Sequence, residues 1–178
     1  IYNNKAINRF KKNNFGIANN KAQNLQLLKK SILNIKNCEL KKKATNIVFS
    51  DGNPNSKIML IGEAPGANED QEGTPFVGRA GILLNKMLMA INLNRSNVYI
   101  SNIINFRPPD NRRPTEEEIK RYLPYILKHI EIISPQILVL LGSTAMNALI
   151  GSDIVISKAR GKWIEKKFGN CKTSVIIT

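Results

Sequence analysis

The segment most suited to chemistry is 62–78, where glycines and carboxylates follow a short apolar run. Glu63 and Glu69 bring carboxylates, and the glycines allow backbone N–H groups to approach a ligand closely. The segment has neither the Gly-Lys-Ser/Thr of a phosphate-binding loop nor the glycine spacing of a dinucleotide fingerprint. Because its carboxylates would repel phosphate, a polar heterocycle or a positioned water is the better ligand.

Two residues that follow predicted strands could recognise a planar, polar ligand. Phe76 stands in the same loop without periodic apolar neighbours. Such a residue is usually part of the core, but its ring could also stack on a nucleic-acid base. Asn102 follows the apolar run 98–100 and carries a donor and an acceptor for an amide-like edge. An Asx-turn is the commoner role of an asparagine, so both explanations stay open here.

A loop at 102–114 combines prolines with side chains that suit phosphate. Proline limits the conformational entropy that a loop loses on binding, and cationic side chains neutralise phosphates. A solvated loop explains the same composition. The side chains concerned are Arg107, Asn111, Arg112 and Arg113.

Strands and helices must position these segments, and the apolar pattern predicts both. Four short apolar runs predict buried strands, and three periodic stretches predict helices between them. The runs are 58–61, 98–100, 137–141 and 174–177, and the helices are 80–91, 116–133 and 143–150. Strands that alternate with helices form a parallel sheet covered on both faces. We therefore predict an α/β fold of three layers around a mainly parallel, four-stranded sheet, with ligands beyond the carboxyl ends of its strands.

Positive charge is concentrated near the N-terminus. The 178 residues include 27 Lys and Arg against 13 Asp and Glu, a formal net charge of +14. Residues 1–50 hold 11 of the basic residues and one acid. We expect 1–20 to be a disordered basic arm and 21–37 to be an amphipathic helix. Nucleic acid is one explanation for this charge, and a solvated tail is the other.

Composition excludes several classes of protein. No run of about 18 apolar residues is present, so we expect no membrane span. Two cysteines cannot make a disulfide framework, which favours a reducing, cytoplasmic compartment. The length fits one domain, and a monomer is the default expectation.

Together the motifs resemble those of the family-4 uracil-DNA glycosylases, over residues 38–178. Several ordered motifs at suitable separations are more specific than any one of them. They are Gly62-Glu63-Ala64-Pro65-Gly66, Pro75-Phe76-Val77-Gly78-Arg79-Ala80-Gly81, Asn102 with the stretch 107–115, and Leu141-Gly142-Ser143-Thr144-Ala145. The resemblance implies a uracil-DNA glycosylase-like domain that hydrolyses the N-glycosidic bond of uracil in DNA, which starts base excision repair.

The resemblance also implies a role for each motif. Phe76 would stack on uracil, and Asn102 would pair with its N3–H and O4, which cytosine does not offer together. Glu63 and Glu69 would be the catalytic carboxylates that orient water or stabilise a cationic sugar. The implied uracil-binding residues are Gly62, Glu63, Ala64, Gly66, Phe76 and Asn102, and the implied DNA-binding residues are Arg107, Asn111, Arg112 and Arg113.

Members of this family normally hold a [4Fe-4S] cluster on four cysteines. Cys38 matches the first ligand, whereas Lys41, Phe106 and Tyr122 stand at the other three positions. These side chains do not replace thiolates on iron. We therefore expect no cluster, no other metal and no cofactor, with an aromatic contact between Phe106 and Tyr122 in the vacated volume. Cys171 is expected to be an ordinary thiol.

The family also carries a His-Pro loop beyond the fourth strand, whose histidine donates to a uracil oxygen. The given sequence ends at Thr178, before such a loop, and its one histidine, His129, falls inside a predicted helix. We expect His129 at the surface or in packing. Losing one such donor typically costs about 10²–10³ in rate, so we expect weak or no activity. The alternative hypotheses are a non-catalytic remnant that binds uracil or DNA and, less favoured, another nucleotide-binding α/β domain.

Overall fold

The computed structural model describes residues 21–178, so the predicted arm at 1–20 lies outside the described residues. Within this part of the chain, one sheet is flanked by helices. Its strands are β1 (Asp51–Gly52), β2 (Ile58–Gly62), β3 (Tyr99–Asn102), β4 (Ile137–Leu140), β5 (Trp163–Phe168) and β6 (Cys171–Ile177). The helices are α1 (Lys21–Leu33), α2 (Glu39–Lys43), α3 (Ala67–Glu72), α4 (Arg79–Ala90), α5 (Glu116–Ile133), α6 (Ser143–Leu149) and α7 (Ile156–Ala159).

The strand order in the sheet is β1-β3-β2-β4-β6-β5. The four central strands are parallel and correspond to the four predicted ones, so the predicted α/β fold with a parallel centre is confirmed. Leu60 pairs with both Ile100 and Val139, and Gly62 pairs with Asn102. This register places the carboxyl ends of β2 and β3 side by side, where the loop after Gly62 begins.

The sheet has two strands more than predicted, because antiparallel edge strands extend it on both sides. β5 joins β6 through the two-residue loop Gly169-Asn170, with Gly169 at φ +56°. A Gly-Asn pair between strands is a hairpin signal. However, β5 alternates exposed and covered residues, so it lacks a continuous apolar run. β1 has only two residues, which is too short to show a period.

Two apolar layers of unequal size cover the sheet. The larger layer holds α1, α5 and α6, and it includes Leu28, Ile61 and Ile130. On the other face, Leu84 and Leu88 of α4 pack with Leu60 of β2. Successive side chains along a strand point to opposite faces of the sheet, which explains why Leu60 and Ile61 of β2 belong to different layers.

The two helices that pack most closely, α1 and α5, follow their sequence signals. α1 ends at Leu33, four residues before the predicted end, and buries Leu25, Leu28 and Ile32. The ammonium of Lys21 donates to the carbonyl of Ile133 at 2.8 Å, which satisfies an acceptor at the end of α5. α5 starts after Thr115, whose hydroxyl accepts from the N–H of Glu118 at 3.2 Å. Among residues 21–178, no helix is long and apolar enough to cross a membrane.

Candidate functional site

A glycine, an aromatic ring and an amide meet at the carboxyl ends of β2 and β3. A Cβ placed on Gly62 would lie 2.5 Å from Cζ of Phe76 and 2.6 Å from Oδ1 of Asn102. The ring and the amide therefore occupy the space that any larger residue at this position would need. The structure brings together three of the predicted uracil-binding residues at one point.

The side-chain amide of Asn102 is buried, but no hydrogen bond within residues 21–178 satisfies it. The residue is only 2% exposed, and no hydrogen bond within residues 21–178 involves its side chain. No fully enclosed side-chain polar atom in this part of the chain lacks a partner, so the amide borders open space. An amide withdrawn from water costs free energy until a partner satisfies it. Asn102 is therefore available to a ligand and does not form the Asx-turn that the sequence left open.

Phe76 has a backbone conformation that residues other than glycine rarely adopt. Its φ is +57°, in the left-handed region, which costs roughly 1–2 kcal/mol for a residue with a Cβ. A Cβ on Gly81 would lie 1.7 Å from the carbonyl oxygen of Phe76, so the first turn of α4 abuts this loop. Such strain persists only where surrounding contacts hold it in place.

Glu69 supplies part of that hold. One carboxylate oxygen accepts from the N–H groups of Val77 at 2.9 Å and Gly78 at 2.7 Å. The other accepts from the N–H of Gly66 at 3.1 Å, at the start of α3. Three backbone donors thus engage the carboxylate. The geometry favours a positioning role for Glu69, and its predicted role as a catalytic carboxylate stays a prediction.

Glu63 directly follows the glycine of the pocket and is half-buried. The hydroxyl of Thr144, at the start of α6, donates to Oε2 of Glu63. Within residues 21–178 no hydrogen bond to the other carboxylate oxygen is found. Thr144 belongs to the motif at 141–145, but nothing in the sequence indicates its contact with Glu63. The remaining oxygen of Glu63 can accept from a water or face a cation.

Ala64 and Gly66 shape the loop after β2, and the N–H of Gly66 already donates to the carboxylate of Glu69. Ala64 packs partly against the main apolar layer. A Cβ on Gly66 would lie 2.8 Å from Oε2 of Glu69, so the glycine permits their close approach. The predicted contribution of these two residues to uracil binding stays a prediction.

The basic loop has internal partners. Nε of Arg107 donates to Oδ1 of Asn111 at 2.8 Å, and the side chain of Arg113 is exposed. Arg112 forms a two-pronged ion pair with Glu118, at 2.6 and 2.8 Å. Hydrogen bonding to Arg112 holds the pKa of the Glu118 carboxyl below its ordinary value. Arg112 is thus partly neutralised, and a phosphate would have to share it.

Three of the four positions that match the cluster ligands are buried in the main apolar layer, and Lys41 is not. Sγ of Cys38 lies 3.3 Å from the hydroxyl of Tyr122, and Phe106 is buried in the same apolar layer. Burial raises the pKa of Tyr122, so its phenol stays protonated. The ammonium of Lys41 donates to a backbone carbonyl. The ring found against Tyr122 is Tyr125, with centroids 6.3 Å apart, and not Phe106 as expected.

This donor set does not fit a [4Fe-4S] cluster, which takes four thiolates. Among the described residues, no group of three or more His, Cys, Asp or Glu is placed to hold a metal ion. Cys171, the other thiol, is buried elsewhere in the layer, and its Sγ contacts the carbonyl oxygen of Pro135 at 3.8 Å.

His129 is a packing residue, one of its two predicted positions. Its ring stacks on Phe49 with centroids 4.6 Å apart, and Nε2 lies 2.8 Å from the hydroxyl of Tyr99. Complete burial lowers the pKa of His129 to about 3, so the ring is neutral near pH 7. His129 lies on α5, and its ring contacts Phe49 and Tyr99, neither of which belongs to the pocket at Gly62.

Comparison with known proteins gives a consistent family. The family model described as Uracil DNA glycosylase superfamily matches residues 49–178. The chain is similar to a type-4 uracil-DNA glycosylase of Thermotoga maritima, with 43% identity over 129 residues, 72% of this chain and 67% of the relative. A type-4 uracil-DNA glycosylase of Archaeoglobus fulgidus shows 39% identity over 158 residues, 86% of this chain and 79% of the relative. One of Saccharolobus solfataricus shows 44% identity over 148 residues, 79% and 67% respectively.

Proposed function

The chain belongs to the uracil-DNA glycosylase superfamily, and from this membership we propose that it is a uracil-DNA glycosylase. It is a hydrolase that cleaves the N-glycosidic bond of uracil in DNA, the first step of base excision repair. The observation that carries the proposal is the buried amide of Asn102 beside the Phe76 ring, an amide without a hydrogen-bond partner among residues 21–178. This is the chemistry that a planar base with an amide-like edge requires.

Base selection follows from the fixed amide. The Oδ1 atom of Asn102 accepts from N3–H of uracil, and Nδ2 donates to O4. Cytosine offers an acceptor at N3 and an amino group at C4, so both contacts become repulsive. The ring of Phe76 supplies a stacking surface that repays part of the cost of flipping the nucleotide, which is a few kcal/mol.

Bond breaking leaves positive charge on the sugar and negative charge on the base. A carboxylate near the sugar stabilises the first and orients the attacking water. Glu63 suits this role because Thr144 fixes one of its oxygens and leaves the other available. Glu69 acts through the loop that it fastens, and we assign it to positioning in the proposed mechanism.

DNA contact belongs to the basic loop in this proposal. Arg113 is exposed and Arg107 is oriented by Asn111, so both are available to phosphates. Arg112 joins them at the expense of its pair with Glu118.

Two buried cysteines that form no disulfide agree with a reducing cytoplasm, where we propose that the protein acts as a monomer.

An excision assay tests the function. The 178-residue chain is incubated with oligonucleotides that carry a single uracil, cytosine or thymine, and free base is measured. We expect release of uracil alone. Asn102→Asp should lower excision by about 10–100-fold, because a carboxylate cannot donate to O4. Asn34→Asp, the same change at an exposed position, is the matched control and should act as wild type.

Each alternative has its own outcome in this assay. Unchanged excision by Asn102→Asp would remove the amide from the proposed mechanism. Binding of free uracil without any excision would favour the non-catalytic remnant. Absence of both uracil binding and excision would contradict the pocket itself.

We also infer that the fold holds no iron–sulfur cluster. The support is the donor set around Cys38, in which Tyr122 is a protonated phenol. Protein purified without oxygen should contain no stoichiometric iron and no visible cluster absorbance. Cys38→Ala should fold and lose about 1–3 kcal/mol of unfolding free energy, because it leaves the buried hydroxyl of Tyr122 without its partner. Stoichiometric iron or a visible cluster absorbance in the wild-type protein would contradict the inference.

A further inference from the structure

The guanidinium of Arg95 contacts four groups, which come from three segments of the chain. Arg95 opens the 3-10 turn that precedes β3, and its Nη1 donates to the carbonyl of Pro75 at 3.0 Å. Nη2 donates to the carbonyl of Phe76. Nη1 also lies 2.5 Å from Oδ2 of Asp51, and Nε donates to Oδ1 of Asn85 at 3.0 Å. A planar fork of five donors can serve all four partners, whereas an ammonium cannot.

Opposite charges therefore hold the two sides of the strained loop. Arg95 holds the carbonyls of Pro75 and Phe76, while Glu69 accepts from the N–H groups of the next two residues. Phe76, with φ +57°, stands between these two attachments. Its conformation is over-determined in the way that a strained residue requires.

The short strand β1 anchors the guanidinium. Gly52 has φ +93°, and a Cβ there would lie 2.2 Å from the carbonyl oxygen of Val98 and 2.8 Å from that of Arg95. The glycine thus lets β1 approach the turn closely, which brings Asp51 against Arg95. The side chains of Arg95 and Asp51 are 25% and 32% exposed, so solvent screens this pair only in part.

We propose that Arg95 is a positioning residue of the base pocket. It holds the backbone of the Phe76 loop so that the aromatic ring stands over Gly62 beside the amide of Asn102. The proposal rests on the proposed function for its catalytic consequence and on geometry alone for the clamp. Arg95 reaches the pocket through Phe76 and is not itself placed to contact a base.

The test compares Arg95→Met and Arg95→Lys with wild type. Hydrogen exchange reports the backbone of residues 74–82, and single-turnover excision reports the pocket. In both variants we expect exchange in 74–82 to accelerate about tenfold or more. Excision should fall about tenfold, the value of one stacked base, while affinity for DNA without uracil stays unchanged. Lysine should not rescue, because it cannot hold both carbonyls.

Ile130→Val is the control for general destabilisation. Ile130 is fully buried in the layer on the other face of the sheet, and loss of one methyl weakens the fold without touching the loop. We expect its exchange in 74–82 and its excision rate to match wild type. If an Arg95 variant exchanges uniformly because it unfolds, Asp51→Asn, which removes only the anchoring carboxylate, supplies the local comparison.

The outcomes separate the two proposals. Unchanged exchange at 74–82 in Arg95→Met would overturn the clamp whatever the activity. Faster exchange with unchanged excision would overturn the positioning role, because the loop would then not govern the pocket. An inactive wild-type chain would count against the proposed function, and hydrogen exchange would then decide the clamp by itself.

Discussion

Two buried polar side chains illustrate opposite uses of the interior. The amide of Asn102 has no partner in the described part of the chain, so its desolvation favours any ligand that supplies a donor and an acceptor. His129 is equally buried, but Tyr99 and Phe49 enclose it. One residue is open to chemistry, and the other is closed to it, although both are rare types for a core.

His129 gives the fold a pH dependence. Its pKa is about 3 in the folded protein and about 6.5 when unfolded. Between these values the unfolded chain binds a proton that the folded chain does not, so stability falls as the pH drops below 6.5. We expect a loss of about 2 kcal/mol between pH 7 and pH 5, measured by urea unfolding.

The control for this prediction is His129→Gln, which cannot titrate. It should lose stability at both pH values, because the core is less well filled, and its pH dependence should be weaker by the amount assigned to the histidine. Equal pH dependence in the two proteins would show that other groups cause the effect.

At the scale of elements, the shortest pieces do the positioning. α3 has six residues, and its adjacent carboxylates reach different loops. Glu69 fastens the loop at 77–78, while buried Asp70 accepts from the N–H groups of Thr45 at 3.0 Å and Asn46 at 3.2 Å. This short helix therefore ties the chain before β1 to the candidate pocket.

α4 meets the pocket loop at one glycine, and this contact can be tested. Gly81→Ala should destabilise the fold by about 1–3 kcal/mol, because the new Cβ overlaps the carbonyl of Phe76. Helix propensity alone predicts the opposite, a gain of about 1 kcal/mol. Urea unfolding measures the free energy of unfolding, and an excision assay measures the rate of uracil release. Both quantities should be lower than in the wild type.

The control lies one residue earlier in the same helix. Ala80 is exposed, and Ala80→Gly should cost only about 1 kcal/mol through helix propensity while excision is kept. A Gly81→Ala protein more stable than wild type would mean that the loop moves freely away from α4.

At the scale of the whole molecule, charge and chemistry lie in different parts of the chain. Residues 1–50 hold 11 basic residues and one acid, whereas 51–178, which contain the candidate pocket, hold 16 and 12. Counterion release makes such charge a source of salt-dependent affinity that does not depend on base sequence. In the proposed function, the pocket then selects the base.

Deletion of residues 1–20 tests this division. The segment holds four basic residues. Its deletion should therefore make the negative slope of log affinity against log salt shallower by up to about 4. Affinity should fall equally for DNA with and without uracil, and excision at saturating protein should stay unchanged. Fluorescence anisotropy at several salt concentrations measures the slope, and an unchanged slope would favour the solvated tail.

The features that could be predicted from the sequence are local or periodic. Continuous apolar runs marked the four parallel strands, and three- and four-residue spacing marked α1, α4 and α5, because burial on one face imposes those periods. The motif resemblance named Gly62, Phe76 and Asn102, which the register of β2 and β3 then brings together. The edge strands escaped this logic because β1 is very short and β5 is covered on one face only.

The pairing of polar groups, in contrast, became visible only in the folded chain. Thr144 reaches Glu63 across 81 positions, and Arg95 reaches Asp51 across 44. In the folded chain, the carboxylate of Glu69 also accepts from backbone N–H groups, and the hydroxyl of Tyr122 contacts Sγ of Cys38. Such contacts follow from how loops close over the sheet, and no period in the sequence encodes them, since each depends on the direction of a single side chain in the folded chain.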